Sequence, residues 1–354
     1  MLKGRYAVKS FIAGCVKCIR FSARRYIQLM GQIPEARITP SYPFLRTGVD
    51  YAGPISLRLT KSRGKGTMKG YICLFVCMVT RAIHLEVVED CTTESFLAAF
   101  HRFTSRRGWC SDLYSDNGKY FVGADEELRQ MFVQSLTFFN QINTALANQS
   151  TTWHWNPPGA PHFGGIWEAG VKSTKHHLKR VTGENILTFS ELSTLLCRIE
   201  ACLNSRPLLP LTDDPPDSDF LSPAHFLILR SSFVVPEGDC SMDTIPAGQR
   251  WKRITQMVQC FWKRWKYEYL PTLLPRQKWL VKNRSFQVGD VVYIRSENTP
   301  LCQWPLGRVT EVNPDRQGVS RYCTIRTSTS EYVRPGVKLV LVVPVDGEAS
   351  TSAG

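Results

Sequence analysis

The sequence predicts an α/β domain built on a mixed sheet flanked by helices, followed by a helix and a small β-rich domain. Strand-like and helix-like apolar patterns alternate between residues 41 and 230. An aromatic stripe at helical spacing begins near Gln249, and short β-rich runs broken by Gly, Pro and Asp follow Arg284. At 354 residues the chain has room for two or three separate cores.

Taken in order, residues 1–40 form a basic lead-in that contains Cys15-Val-Lys-Cys18. In the 41–230 region, Gly48–Pro54 reads as a strand ended by Gly-Pro, Tyr71–Met78 as a fully apolar strand, and Ala82–Val88 as its neighbour. Thr92–Arg107 reads as a helix with Phe96, Ala99, Phe100 and Phe103 on one face. Leu113–Asp116 is a strand stopped by the turn signal Asn117-Gly118, and Thr152–Trp155 is another strand. Two helices close the region, the second opening on the capping-box pattern Thr188-Phe-Ser-Glu191 and stopped by Pro207. Seven prolines between 207 and 247 suggest a linker or covering segment. Residues 231–284 then hold linker and basic aromatic helix, 285–343 the β-rich domain, and 344–354 a tail too poor in apolar residues to order.

Composition narrows the function classes. Hydrophobic and charged contents of 43% and 21% are those of a globular protein. The net charge of +14 is concentrated: residues 1–34 carry +7 and residues 248–284 carry +9, so the rest of the chain sums to −2. Basic flanks around a near-neutral middle suit a polyanion partner, nucleic acid first, although solubility alone also accounts for net charge. Twelve cysteines lie mostly inside apolar runs, as buried thiols in a reducing compartment do. The longest apolar run, Tyr71–Val79, is too short to span a bilayer.

Three acids stand where chemistry needs them. Asp50 lies in Gly-Val-Asp-Tyr, Asp116 ends the strand Leu113–Asp116, and Glu168 opens a helix after the Pro/Gly loop Asn156–Gly165. Cleavage and transfer of a phosphodiester needs an in-line oxygen nucleophile and help for the leaving oxygen, which two divalent ions about 3.5–4 Å apart supply. Mg²⁺ takes a few carboxylates and keeps positions open for water and phosphate. Asp50 bridging both ions, with Asp116 and Glu168 each holding one, is a minimal cage. Singly, an Asp before Asn-Gly is also a turn former, and a Glu in a first helical turn also suits the macrodipole.

The surroundings of those acids resemble the integrase catalytic core of retroelements, specifically the BEL/Pao group of LTR retrotransposons. The matching strings are Thr47-Gly-Val-Asp-Tyr-Ala-Gly-Pro54, Arg81-Ala-Ile-His-Leu-Glu86, Ser115-Asp-Asn-Gly118, Pro161-His-Phe-Gly-Gly-Ile-Trp-Glu-Ala-Gly-Val-Lys172 and Asn204-Ser-Arg-Pro207. They continue through Phe261-Trp-Lys-Arg-Trp265, Gly289-Asp-Val-Val292 and Trp304-Pro-Leu-Gly-Arg-Val309, and so cover nearly the whole chain. The resemblance implies an RNase H-like core with a D,D,E triad at Asp50, Asp116 and Glu168, using two Mg²⁺ or Mn²⁺ ions. It also implies a small SH3-like barrel that binds DNA, a homo-oligomer acting on element ends and target DNA, and work in the nucleus after a cytoplasmic particle stage. The reaction expected is 3′-end processing followed by strand transfer. A helical insertion is expected over 125–150.

Along the helix that starts at Glu168, Lys172, Lys175 and Lys179 fall at about +40°, −20° and +20° from the glutamate. That stripe suits phosphates of the reacting strand, or else is a solvated basic face. Cys15 and Cys18 resemble the C-terminal half of the His-His-Cys-Cys zinc domain that precedes such cores. Two thiols supply only half of a tetrahedral site, so no stoichiometric zinc is expected. The segment 250–270 reads as a core stripe with a basic outer face, or as a stacking surface for nucleic acid. Two rival functions stay open: a domesticated or decayed integrase that only binds DNA, and an RNase H-type nuclease.

Overall fold

The structure is a computed structural model that describes residues 4–16, 34–60, 66–116, 118–139, 151–155, 165–183, 185–210, 220–232, 237–246, 248–269, 286–295, 299–314 and 320–345. It divides into two compact units, Met1–Ile38 and Thr39–Gly354. The first holds helix α1 (Gly4–Gly14) and a short helix α2 (Glu35–Ile38). Helix α1 falls within the basic lead-in, where the sequence reading assigned no regular structure, and its Val8, Phe11 and Ile12 are exposed.

The second unit begins with three antiparallel strands, β1 (Arg46–Arg58), β2 (Thr67–Cys77) and β3 (Ile83–Val88). Every residue of β2 from Ile72 to Cys77 is buried, which explains a run with no polar alternation. Strands β4 (Asp112–Ser115) and β5 (Thr152–Trp155) add in parallel on the other side of β1, giving the order β3-β2-β1-β4-β5. A two-residue strand, β6 (Leu187–Thr188), pairs with the far end of β1. This is the mixed sheet that the sequence predicts, flanked by helices on both faces.

One face packs on α3 (Thr93–Arg107) and α4 (Lys119–Phe139), burying Val49, Phe75, Phe96, Phe100, Phe103 and Phe121 together. Helix α3 starts where Thr92 Oγ1 accepts from Ser95 N at 3.2 Å and stops at Gly108, whose φ of 91° favours glycine. Helix α4 occupies 119–139, so it begins before the insertion expected at 125; residues 140–150 lie outside the described residues. The opposite face packs on α5 (Gly165–Thr182), α6 (Phe189–Asn204) and α8 (Arg250–Tyr269). The capping box at Thr188 and Glu191 forms as the pattern predicts.

Edge strand β3 is closed by side chains of α6. Asn204 bonds both backbone groups of Ile83, and Glu200 Oε2 accepts from Leu85 N at 2.9 Å. Four residues apart on one helix, the two side chains stand in for a neighbouring strand. Behind them lies a buried charge network. His84 approaches Glu86 and Glu200, while Arg102 and Arg106 reach Glu86 and Arg107 reaches Glu200.

Between 207 and 247 the described residues are more than linker. Strands β7 (Leu209–Pro210) and β8 (Phe220–Leu221) pair, and α7 (Pro223–Ile228) buries Pro223 and Ala224. Helix α8 is likewise core rather than spacer: Ile254, Val258, Phe261, Trp262 and Trp265 share one cluster with α6 residues Leu192, Leu195 and Ile199. Strands β9 (Val291–Ile294), β10 (Leu306–Pro314), β11 (Ser320–Arg326), β12 (Glu331–Pro335) and β13 (Leu339–Val343) make an antiparallel sheet in the order β12-β11-β10-β9-β13. Fully buried Asp290 accepts from the backbone N–H of Gln287 and Val345, tying both ends of that domain together. Trp304 plugs the domain onto the α/β layer, donating to Ser205 Oγ at 3.1 Å amid Trp262, Trp265, Tyr269 and Tyr293. Among the described residues no helix is long and apolar enough to cross a membrane.

Candidate active site

Parallel pairing of β1 with β4 decides where the first two acids stand. The register runs Arg46↔Asp112, Thr47↔Leu113 and Gly48↔Tyr114. Asp50 and Asp116 are each two residues past Gly48 and Tyr114, hence level with one another and on one face. Neighbouring strands lie about 4.8 Å apart, so two carboxylates that are 66 positions apart in sequence emerge side by side. Asp50 is half-buried and Asp116 exposed. Asp50 Oδ1 accepts from Tyr51 N at 2.7 Å, and Asp116 Oδ1 accepts from Gly118 N at 3.2 Å. The Gly118 N–H thus holds the Asp116 carboxylate, while Asn117 of the predicted turn lies outside the described residues.

Both charges are felt by Tyr120, the second residue of α4. Burial first, then the Asp116 and Asp50 carboxylates among its neighbours, push its hydroxyl pKa well up. On the face of the acids, one step back along the strands, His154 of β5 meets Asp112 at 2.7 Å and stacks on Tyr114 with ring centroids 4.5 Å apart. Neither Tyr120 nor His154 stood out in the sequence, because contact across strands and loops leaves no local spacing to read.

Glu168 belongs to α5, and its side chain lies outside the described residues, as does that of Lys172. Lys175 and Lys179 are both exposed. Lys175 Nζ donates to Gly53 O at 3.4 Å, and Lys175, His176, Lys179 and Arg180 line an open groove of about 560 Å³. The sequence reading of this stripe missed Glu268 of α8, whose carboxylate stands 3.5 Å from His176, 3.7 Å from His177 and 3.6 Å from Arg180. Burial pulls the His177 pKa down, against the raising effect of Glu268. Cys15 is half-buried in the first unit, and Cys18 lies outside the described residues. In the helix 250–269 the aromatic stripe is core, with Trp251 and Tyr267 its exposed aromatics.

The Asp50–Asp116 pair fits a hard divalent cation. Its donors are carboxylate oxygens, one partly sheltered and one open to water, the combination Mg²⁺ takes while keeping its own waters. Among the described residues no group of three or more His, Cys, Asp or Glu side chains gathers at metal-binding distance.

A family model described as a family of unknown function (DUF5641) matches residues 249–342, which span α8 and the β-rich domain. No curated protein matches the sequence. Among solved structures, the chain is similar to the simian T-cell lymphotropic virus intasome in complex with PP2A regulatory subunit B56 gamma. Identity is 12% and the TM-score 0.37, over 96% of this chain and 91% of that one. It is also similar to the HTLV-2 integrase catalytic core domain in complex with magnesium, in its dimeric form. There identity is 16% and the TM-score 0.30, over 46% of this chain and 88% of that one.

Proposed function

We propose that the chain is the integrase of an LTR retrotransposon of the BEL/Pao group, a metal-dependent polynucleotidyl transferase that processes the 3′ ends of element DNA and joins them to target DNA. The observation that carries this reading is the parallel pairing of β1 with β4 up to Gly48↔Tyr114, two residues short of Asp50 and Asp116, in a sheet of order β3-β2-β1-β4-β5.

The course of α5 supports Glu168 as the third carboxylate. Lys175 touches Gly53, and the chain after α5 returns to pair Leu187 with Leu57, so the helix follows β1 in the strand's own direction. From Lys175 back to Glu168 the helix falls about 10.5 Å over seven residues. From Gly53 back to Asp50 the strand falls about 10 Å over three. These matched rises support a position for Glu168 on the part of α5 that runs beside Asp50.

In this reading Asp50, Asp116 and Glu168 hold Mg²⁺ or Mn²⁺. When bound, the ions make an oxygen nucleophile available at neutral pH and stabilise the leaving oxygen. The chain itself fixes the carboxylates through β1, β4 and α5. It presents Lys175 and Lys179, with Lys172 on the same helix, to the phosphates of the reacting strand. A homo-oligomer acting on DNA in the nucleus completes the proposal.

The test is strand transfer by purified chain on a duplex that ends in the element's own terminal sequence, with Mg²⁺. Wild type should join ends to target DNA and Glu168→Gln should not, while both bind DNA alike. Equal rates for the two would refute the triad. Binding without joining by the wild type would instead make this an integrase-derived DNA-binding protein.

A further inference from the structure

We infer that the ring contact between Tyr51 and Tyr120 sets the separation of the Asp50 and Asp116 carboxylates and so tunes divalent-metal affinity. The inference rests on the metal-dependent reading of that pair. Each tyrosine follows closely on one acid. Tyr51 is the next residue after Asp50, and Tyr120 lies four residues after Asp116, at the start of α4.

Their rings meet edge to face, with centroids 4.9 Å apart at 88°. Tyr51 also stacks on Phe121 at 5.5 Å and meets Phe96 and Tyr71 at 6.5 Å, so its ring is held on several sides. The backbone that carries Asp50 is therefore pinned to the helix that fixes the Asp116 turn. Edge-to-face pairs of this kind have a preferred separation, which makes the contact a spacer as well as a source of stability.

On the Asp116 side the link is just as close. A Cβ placed on Gly118 would lie 2.7 Å from Tyr120 Cζ and 3.0 Å from its Oη. Gly118 N is the donor to Asp116 Oδ1. The Tyr120 ring thus lies against the residue that orients the carboxylate, and a Cβ at that position would have to displace the ring.

The Tyr51 hydroxyl points to the ring as the working part. It is buried with no hydrogen-bond partner among the described residues. A tyrosine whose hydroxyl is unsatisfied contributes here through its aromatic face.

The test is calorimetric titration of Mn²⁺ into the full-length chain, with melting temperature measured alongside. Tyr120→Ala should weaken Mn²⁺ binding by about 10-fold or more, the range seen when groups that orient metal ligands are removed. Tyr120→Phe and Tyr51→Phe keep the rings and should bind as wild type does. Should Tyr120→Ala fold poorly, Gly118→Ala carries the test, because its new methyl displaces the ring; it should also weaken binding. Wild-type affinity in both Tyr120→Ala and Gly118→Ala, with Asp116→Asn impaired, overturns the inference. So does a Tyr120→Phe variant as weak as Tyr120→Ala, since the hydroxyl would then be the acting group. If Asp50→Asn and Asp116→Asn also bind Mn²⁺ like wild type, the metal-dependent reading itself fails.

Discussion

Asn204 stands in for a missing strand at Ile83: its Oδ1 accepts from Ile83 N at 2.8 Å and its Nδ2 donates to Ile83 O at 2.8 Å. Both residues belong to strings that carry the family resemblance, Arg81–Glu86 and Asn204–Pro207, yet 121 positions separate them. The tertiary fold gives the two motifs one task, closing the open edge of the sheet. Next to Asn204, Ser205 accepts the indole N–H of Trp304, and Arg206 donates to Arg81 O at 2.6 Å.

Asn204→Ala should therefore destabilise the chain by about 1–3 kcal/mol, because it strands a buried N–H and a buried C=O at once. Asn204→Asp keeps the acceptor but sets a buried carboxylate oxygen against Ile83 O, and should cost at least as much at neutral pH. Urea unfolding of the three proteins checks this, and an Ala variant as stable as wild type would show that water closes the edge equally well.

Trp304→Ala should be among the most damaging single changes outside the catalytic face, costing about 3–5 kcal/mol. Its ring is buried against four aromatic neighbours contributed by α8 and β9. Loss of the plug should also uncouple the β-rich domain from the α/β layer. Chemical denaturation followed by tryptophan fluorescence and by circular dichroism should then give two midpoints where wild type gives one. A single transition at the wild-type midpoint would contradict the plug.

Lys266 predicts a pH effect of definite sign. Burial, aided by the nearby Lys263 charge, pulls its ammonium pKa down to about 8, and its Nζ donates to Thr299 Oγ1 at 2.7 Å. The unfolded chain holds that proton up to about 10.4. Between these values the unfolded state binds more protons than the folded one, so stability contributed by this site rises with pH from about 8 to 10.4. Lys266→Met should remove that rise and be more stable than wild type at pH 7. Thermal melts at pH 7, 8, 9 and 10 decide it; parallel curves for the two proteins would show that the lysine is not penalised.

Replacing Lys172, Lys175 and Lys179 together with Ala should weaken DNA binding. The plot of log affinity against log salt should flatten by up to about three counterions' worth. Glu268 gives a companion variant: Glu268→Gln removes an acid beside His176, His177 and Arg180 and should strengthen binding at low salt. Fluorescence anisotropy with a labelled duplex across a salt series measures both. An unchanged slope in the triple variant returns the lysines to a solvated face.

Much of this was legible in the sequence wherever the signal is local. The apolar run Tyr71–Met78 marks most of β2 and the capping box marks the start of α6, because each depends on residues within a few positions. The acids themselves stood out only through the strings around them. What the tertiary structure alone decided are the relations that bring distant segments together. They include the parallel pairing of β1 with β4, the Asn204 and Glu200 closure of β3, and the Trp304 plug. They also include the packing that turns a basic aromatic segment into core helix α8. The physical reason is that helix period and turn chemistry are fixed by short-range sterics and hydrogen bonds. Strand pairing and burial are instead chosen by the whole chain, which must satisfy every buried polar group and fill one core at the same time.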